Sequence, residues 1–132
     1  MKFTPTELDY LAGQPLGRIA TAQPDGTLQV SPVSFRHDGV TDTIVVYGFR
    51  MDASRKYKNV ADNGRVAFVV DDLATVQPWR PRCLEIRGHA EALTEADGRP
   101  FIRIHPERII SFGIDQTDVP VHSLAVNARN VG

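Results

Sequence analysis

The segment Thr43–Val60, TIVVYGFRMDASRKYKNV, runs a β-branched strand directly into a helix start loaded with positive charge. Arg50, Arg55, Lys56 and Lys58 crowd that start, where the helix dipole already places about half a positive charge and each added cation costs roughly 0.3–1 kcal/mol. An anionic ligand at this point would explain the arrangement, since a serine and free backbone N–H groups at a helix start are what phosphate sites use. A solvated helix face would explain Ser54-Arg55-Lys56 equally well, and the residues alone leave both accounts open.

Working outward, Thr4-Pro5-Thr6-Glu7 is a capping box with proline at the first helical position, which predicts a short helix through Leu8, Tyr10 and Leu11, ended by Gly13. A strand is expected from Gly17 to Gln23, then a Pro24-Asp25-Gly26 turn and a second strand from Leu28 to Phe35. Pro32 inside that strand cannot donate to a ladder and implies an edge, a bulge or backbone groups turned toward a ligand. His37-Asp38-Gly39 marks a turn before the strand Thr43–Tyr47, and the helix from Ala53 to Ala61 closes on Asp62-Asn63-Gly64, a left-handed cap.

Beyond the helix, Arg65–Val70 is strongly β-prone and Asp71-Asp72 is expected to stop it. Gln77–Arg82 reads as an extended loop, Cys83–Ala92 as a strand, and Phe101–Ile104 and Ile109–Ile114 as two further strands around His105-Pro106-Glu107. The tail from Val119 carries no clear signal. Six or seven strands with short helices and frequent turns predict a mainly β (α+β) fold, a small antiparallel barrel and not alternating βαβ units, in a single domain over residues 1–132. Trp79-Arg80-Pro81-Arg82 is either a rim packed over the barrel mouth or a stacking ring with two guanidinium groups for a planar, acidic ligand.

A net charge of −1 and a pI near 6.4 argue against a nucleic-acid binder. One cysteine, Cys83, excludes an internal disulfide and suits a reducing compartment. With no spanning apolar run or secretory signal, the expectation is a cytoplasmic protein without membrane contact. His37, His89, His105 and His122 are scattered, so no metal site is expected, and neither a dinucleotide fingerprint nor a Walker loop is present. Ser31, Ser34 and Ser123 lack a nucleophile elbow. If the protein is an enzyme, its reactive atom comes from a cofactor.

Several segments in order resemble the pyridoxamine 5′-phosphate oxidase-like split-barrel superfamily. They are Leu16-Gly17-Arg18-Ile19-Ala20-Thr21, Gln29-Val30-Ser31-Pro32-Val33, Ser54-Arg55-Lys56 with Asn59-Val60, and Arg65-Val66-Ala67-Phe68-Val69. Pro78-Trp79-Arg80-Pro81-Arg82, Glu85-Ile86-Arg87-Gly88, and Ile102-Arg103-Ile104 leading to Arg108–Gly113 complete the match, which covers residues 7–115. Within the superfamily the chain is similar to the class using the deazaflavin coenzyme F420, and Asp71-Asp72-Leu73 with Pro78–Arg82 resembles a branch that includes reductases of antibiotic biosynthesis.

The resemblance implies a six- to seven-stranded antiparallel split β-barrel of the FMN-binding type, working as a homodimer with cofactor sites between subunits. It implies that Gln29, Val30, Ser31, Pro32 and Val33 lie along the cofactor ring through backbone groups. Ser54, Arg55 and Lys56 would hold the phosphate, with Tyr47 and Gly48 beside the cofactor. Trp79, Arg80 and Arg82 would sit near the ring or its acidic tail, reaching from the partner subunit. The strand Gln29–Ser34 lacks the basic pair of the oxidase branch, so F420 is expected, with FMN as the alternative. The implied reaction is hydride transfer between the deazaflavin and a small organic acceptor of enone, quinone or imine type. A non-enzymatic flavin- or deazaflavin-binding protein is the competing expectation.

Overall fold

The structure is a computed structural model that describes residues 1–116 and 118–132. One antiparallel sheet of seven strands runs in the order β3-β2-β1-β4-β5-β6-β7 and is closed into a barrel by a β3–β6 pairing, so six strands form the barrel and β7 adds to the free edge of β6. The strands are β1 (Gly17–Ala22), β2 (Leu28–Asp38), β3 (Thr43–Tyr47), β4 (Arg65–Thr75), β5 (Arg80–Thr94), β6 (Pro100–Phe112) and β7 (Asn127–Asn130). Two helices accompany them, α1 (Pro5–Ala12) and α2 (Arg55–Asn63), with 3-10 turns at Met51–Ala53 and Val121–Ser123. Among the described residues no helix is long and apolar enough to cross a membrane.

Alternation drives the barrel interior. Ile19, Ile44, Val46, Phe68, Val70, Leu84, Ile86, Ile102, Ile104 and Ile109 are all essentially buried, and Met51 and Val60 bring the α2 region into the same core. Gly17 opens β1 as expected, and glycine is needed there because the Phe68 ring fills the space a β-carbon would take. The capping box at α1 is complete, with Thr4 Oγ1 accepting the Glu7 N–H at 3.2 Å and Glu7 Oε1 accepting the Thr4 N–H at 2.9 Å. Gly64 closes α2 at φ 68°, as its Asp-Asn-Gly ending predicts.

The strands are longer than local composition suggests, and neighbouring strands supply the reason. Asp71-Asp72 does not stop β4, because Arg18 pairs with Asp71 and Arg82 with Asp72, so the charges ride on an overhanging hairpin. In place of an extended loop over Gln77–Arg82 there is a short turn at residues 76–79, and β5 begins at Arg80. The two strands expected around His105-Pro106-Glu107 are one strand, β6, with a bulge opposite Arg87 and Gly88 that absorbs the proline. A β-carbon on Gly88 would overlap the His105 carbonyl. β2 continues past Phe35 to Asp38, and its turn to β3 falls after Asp38.

The unassigned tail contains β7, which pairs Asn127–Asn130 with β6. Arg129 on β7 binds the buried carboxylate of Glu7 at 2.6 and 2.7 Å and donates to the Lys2 carbonyl, tying the last strand to the first helix.

Candidate functional site

Among the described residues β2 is paired on one side at a time, with β1 along its first half and with β3 along its second. β1 accompanies it from Leu28 to Val33, whereas β3 joins only at Ser34 and continues to Asp38. Leu28–Val33 therefore has a free backbone edge, and Pro32, with no N–H to donate, lies within it. On the inward face of this stretch, Gln29 Oε1 and Ser31 Oγ are buried without a hydrogen-bond partner among the described residues, as is Asn59 Oδ1 on α2. Unsatisfied buried polar atoms cost about 1–3 kcal/mol each. On the outward face, Leu28 and Val30 are 76% and 67% exposed.

The free edge adjoins the start of α2 through β3, since Ser34, the residue after Val33, pairs with Tyr47. From Tyr47 the chain passes Gly48, Phe49 and Arg50, buries Met51, and enters α2 with Ser54 as N-cap. Ser54 Oγ accepts the Tyr57 N–H at 3.3 Å and donates to the Met51 carbonyl at 2.6 Å. The serine hydroxyl is thus spent on the turn. The Arg55 and Lys56 N–H groups are the first two of the helix and remain the orphan donors. The first turn of α2 holds no acidic residue. Among the described residues, Arg55, Lys56 and Lys58 meet no carboxylate.

Tyr47 is itself set in a polar frame. Its hydroxyl donates to Glu95 Oε1 at 2.5 Å and accepts from Arg36 at 3.4 Å, while the Arg99 guanidinium lies 4.0 Å from the ring centroid. The bond to Tyr47 holds Arg36 more firmly protonated than a free arginine. The sequence singled out Tyr47 but not Arg36, Glu95 and Arg99, which reach it from a different strand and a turn. Phe49, 94% exposed, was also missed, although an aromatic between glycine and arginine in a loop was a usable signal.

The structure thus brings Gln29–Val33, Tyr47, Gly48 and Ser54–Lys56 into one continuous region. Trp79, Arg80 and Arg82 lie elsewhere, on the β4–β5 hairpin beyond the last β1–β4 pair, Arg18 with Val69. Trp79 is 55% exposed at its tip. Arg82 makes a two-pronged pair with Asp72 and stacks on Tyr10 at 5.2 Å, so its charge serves the hairpin. That bond from Arg82, with a hydrogen bond from Tyr10, holds the Asp72 carboxyl below the usual range. Burial beside Asp72 pushes the Tyr10 phenol up. Burial likewise pushes the Cys83 thiol up to about 11, which keeps it protonated and unreactive near neutrality. Among the described residues no His, Cys, Asp and Glu group could hold a metal ion.

A groove of about 480 Å³ crosses the outer sheet face, floored by Ala20, Ala22, Ala67 and Leu28 and rimmed by Arg65 and Arg87. A second hollow of about 280 Å³, lined by Val30, Val69 and Arg18, continues from it across Ala20 and Ala67.

The region therefore combines a closed antiparallel barrel, a free strand edge and a cationic helix start, an arrangement of donors and positive charge that suits an anion. Residues 3–126 match the pyridoxamine 5′-phosphate oxidase family model, and the chain belongs to that family. It is 41% identical, over its whole length and 99% of the relative, to a 5a,11a-dehydrotetracycline/5a,11a-dehydrooxytetracycline reductase of Streptomyces rimosus. That likeness places it among the oxidoreductases of the family. Solved structures share the fold at lower identity. A FAD-binding protein from Mycobacterium smegmatis superimposes with a TM-score of 0.63 at 18% identity, covering 98% of both chains. A conserved hypothetical protein from Mycobacterium tuberculosis gives 0.73 at 19% identity, covering 98% of this chain and 92% of its own.

Proposed function

We propose that this chain is a cytoplasmic, homodimeric reductase that uses the deazaflavin coenzyme F420 to reduce the electron-poor double bond of a polycyclic enone. One observation carries the reading: α2 starts with cations that meet no carboxylate, next to a strand edge with no partner. When bound, the reduced cofactor would be the source of the hydride taken up at the acceptor's β-carbon, and water would be the source of the proton taken up at its α-carbon. The chain's own residues bind and orient. Arg55, Lys56 and their N–H groups hold the phosphate, the Gln29–Val33 backbone lies along the ring, and Tyr47 and Gly48 border it. Trp79 and Arg80 reach the ring or the acidic tail of the cofactor in the partner subunit, whereas Arg82 supports their hairpin.

Support for F420 over FMN comes from β2, which has no basic pair between Gln29 and Ser34. The FAD-binding relative of the fold keeps a flavin nucleotide as the second reading. The polycyclic enone rests on the reductase relative, and dimerisation on the apolar outer face carrying Leu28 and Val30.

Parallel fluorescence titrations with F420 and FMN test the proposal. Tight F420 binding is expected, weakened by about 1–3 kcal/mol in Lys56→Ala through loss of a charge-assisted hydrogen bond. A protein that purifies yellow with FMN and ignores F420 would overturn the cofactor assignment. Binding without turnover of any enone, quinone or imine would overturn the reductase.

A further inference from the structure

We infer that Phe49 and Arg50 form a platform for the acceptor, selecting flat polycyclic enones that carry an ionised enol. The inference rests on the reductase reading and adds to it the part of the chain that recognises substrate.

Phe49 is 94% exposed although the residues on either side of its loop are anchored. Met51 is buried, and its methyl group lies 3.1 Å from where a Gly48 β-carbon would sit. The Arg50 carbonyl accepts from Ala53 N at 3.1 Å, and the Met51 carbonyl accepts from Ser54 N at 3.0 Å. Phe49 is therefore held outward by a wired turn. Arg50 has φ 52° and ψ 47°, a left-handed conformation that favours glycine. Strain of that kind persists only where the surrounding structure enforces it, and it clusters at ligand sites. Here the guanidinium lies 5.7 Å from the Phe49 ring centroid and, among the described residues, meets no carboxylate, although Asp52 is two residues on.

In sequence the pair sits between Tyr47-Gly48 and Ser54–Lys56, two of the segments assigned to the cofactor, so an acceptor beside the ring meets it. A flat polycycle stacks on the phenyl ring, and its enolate oxygens meet the guanidinium fork. A small neutral enone gains neither contact.

Arg50→Gly isolates the effect, since glycine keeps the backbone conformation and removes only the side chain. With F420 and either 5a,11a-dehydrooxytetracycline or 2-cyclohexenone as acceptor, the ratio of the two kcat/KM values is expected to fall by about ten-fold or more in Arg50→Gly and Phe49→Ala. An unchanged ratio overturns the platform. So does a shift of the sedimentation coefficient from dimer to monomer, which would assign Phe49 to a contact between copies. If the unaltered protein binds no F420, the reductase reading fails by itself. The platform is then read from quenching of the sole tryptophan by oxytetracycline, where equal affinity of parent and Arg50→Gly would sink it.

Discussion

Reversing one charge at the start of α2 should make the empty protein more stable and the loaded protein less so. Arg55 is the first residue of the helix, exposed, and without an acidic neighbour in the first turn. Arg55→Glu exchanges an unfavourable dipole interaction of roughly 0.3–1 kcal/mol for a favourable one of similar size, a net gain of about 0.6–2 kcal/mol. For 132 residues the unfolding entropy is about 0.28 kcal/mol/K, so the melting temperature of the free protein should rise by about 2–7 °C. Under the proposed function the same substitution would remove a phosphate contact and add repulsion, so stabilisation by F420 should shrink or vanish. The assay is thermal unfolding at fixed protein concentration, with and without F420, at low and at 0.5 M salt (roughly 4 Å of screening length). The gain in the free protein should fade at high salt. Destabilisation of the free protein at low salt would show that Arg55 stabilises the fold and is not held there for a ligand.

Three more outcomes follow from the geometry. Leu28→Asp with Val30→Asp should remove roughly 2–4 kcal/mol of apolar burial per protomer, counted twice in a two-fold dimer, and sedimentation should then show monomer; an unaltered protein that sediments as monomer would refute the dimer outright. Arg129→Ala leaves the buried Glu7 carboxylate unpaired and should cost about 3 kcal/mol in urea unfolding, the low end for a broken buried pair because Arg129 is itself one-third exposed. Asp72 has a depressed folded pKa, so its contribution is present above the unfolded value near 3.9 and is lost as pH falls through the lower folded value. The stability gap to Asp72→Asn should therefore stay flat from pH 5 to 8 and close only below about pH 4, and a gap that closes between pH 5 and 7 would place its origin elsewhere.

Local chemistry made some of the fold legible. The α1 capping box, the Pro-Asp-Gly hairpin and the Gly64 cap each encode their own geometry in consecutive residues, and each forms as read. What escaped was set by partners distant in sequence. Asp71-Asp72 reads as a break until Arg18 and Arg82 are seen opposite, and Pro106 reads as one until the bulge beside Gly88 receives it. β7 is Asn-Ala-Arg-Asn, with no alternation to announce a strand, and exists because β6 offers it an edge. The Asp72–Arg82 pair was within reach, since the two residues stand equally far from the hairpin turn at Gln77. In the candidate site, contiguous pieces such as Ser54–Lys56 stand together in the sequence itself, whereas the frame around Tyr47 required three separate segments to be folded together.

The far end of α2 is fastened to β1, where Asn59 donates to Thr21 Oγ1 at 3.0 Å and Asn63 to the Ala22 carbonyl at 2.7 Å. β1 is also the strand that carries the unpartnered stretch of β2. Helix and strand edge are thereby tied to the same strand, and under the proposed function the spacing between them would act as a gauge, favouring molecules whose acid group and flat portion match that span.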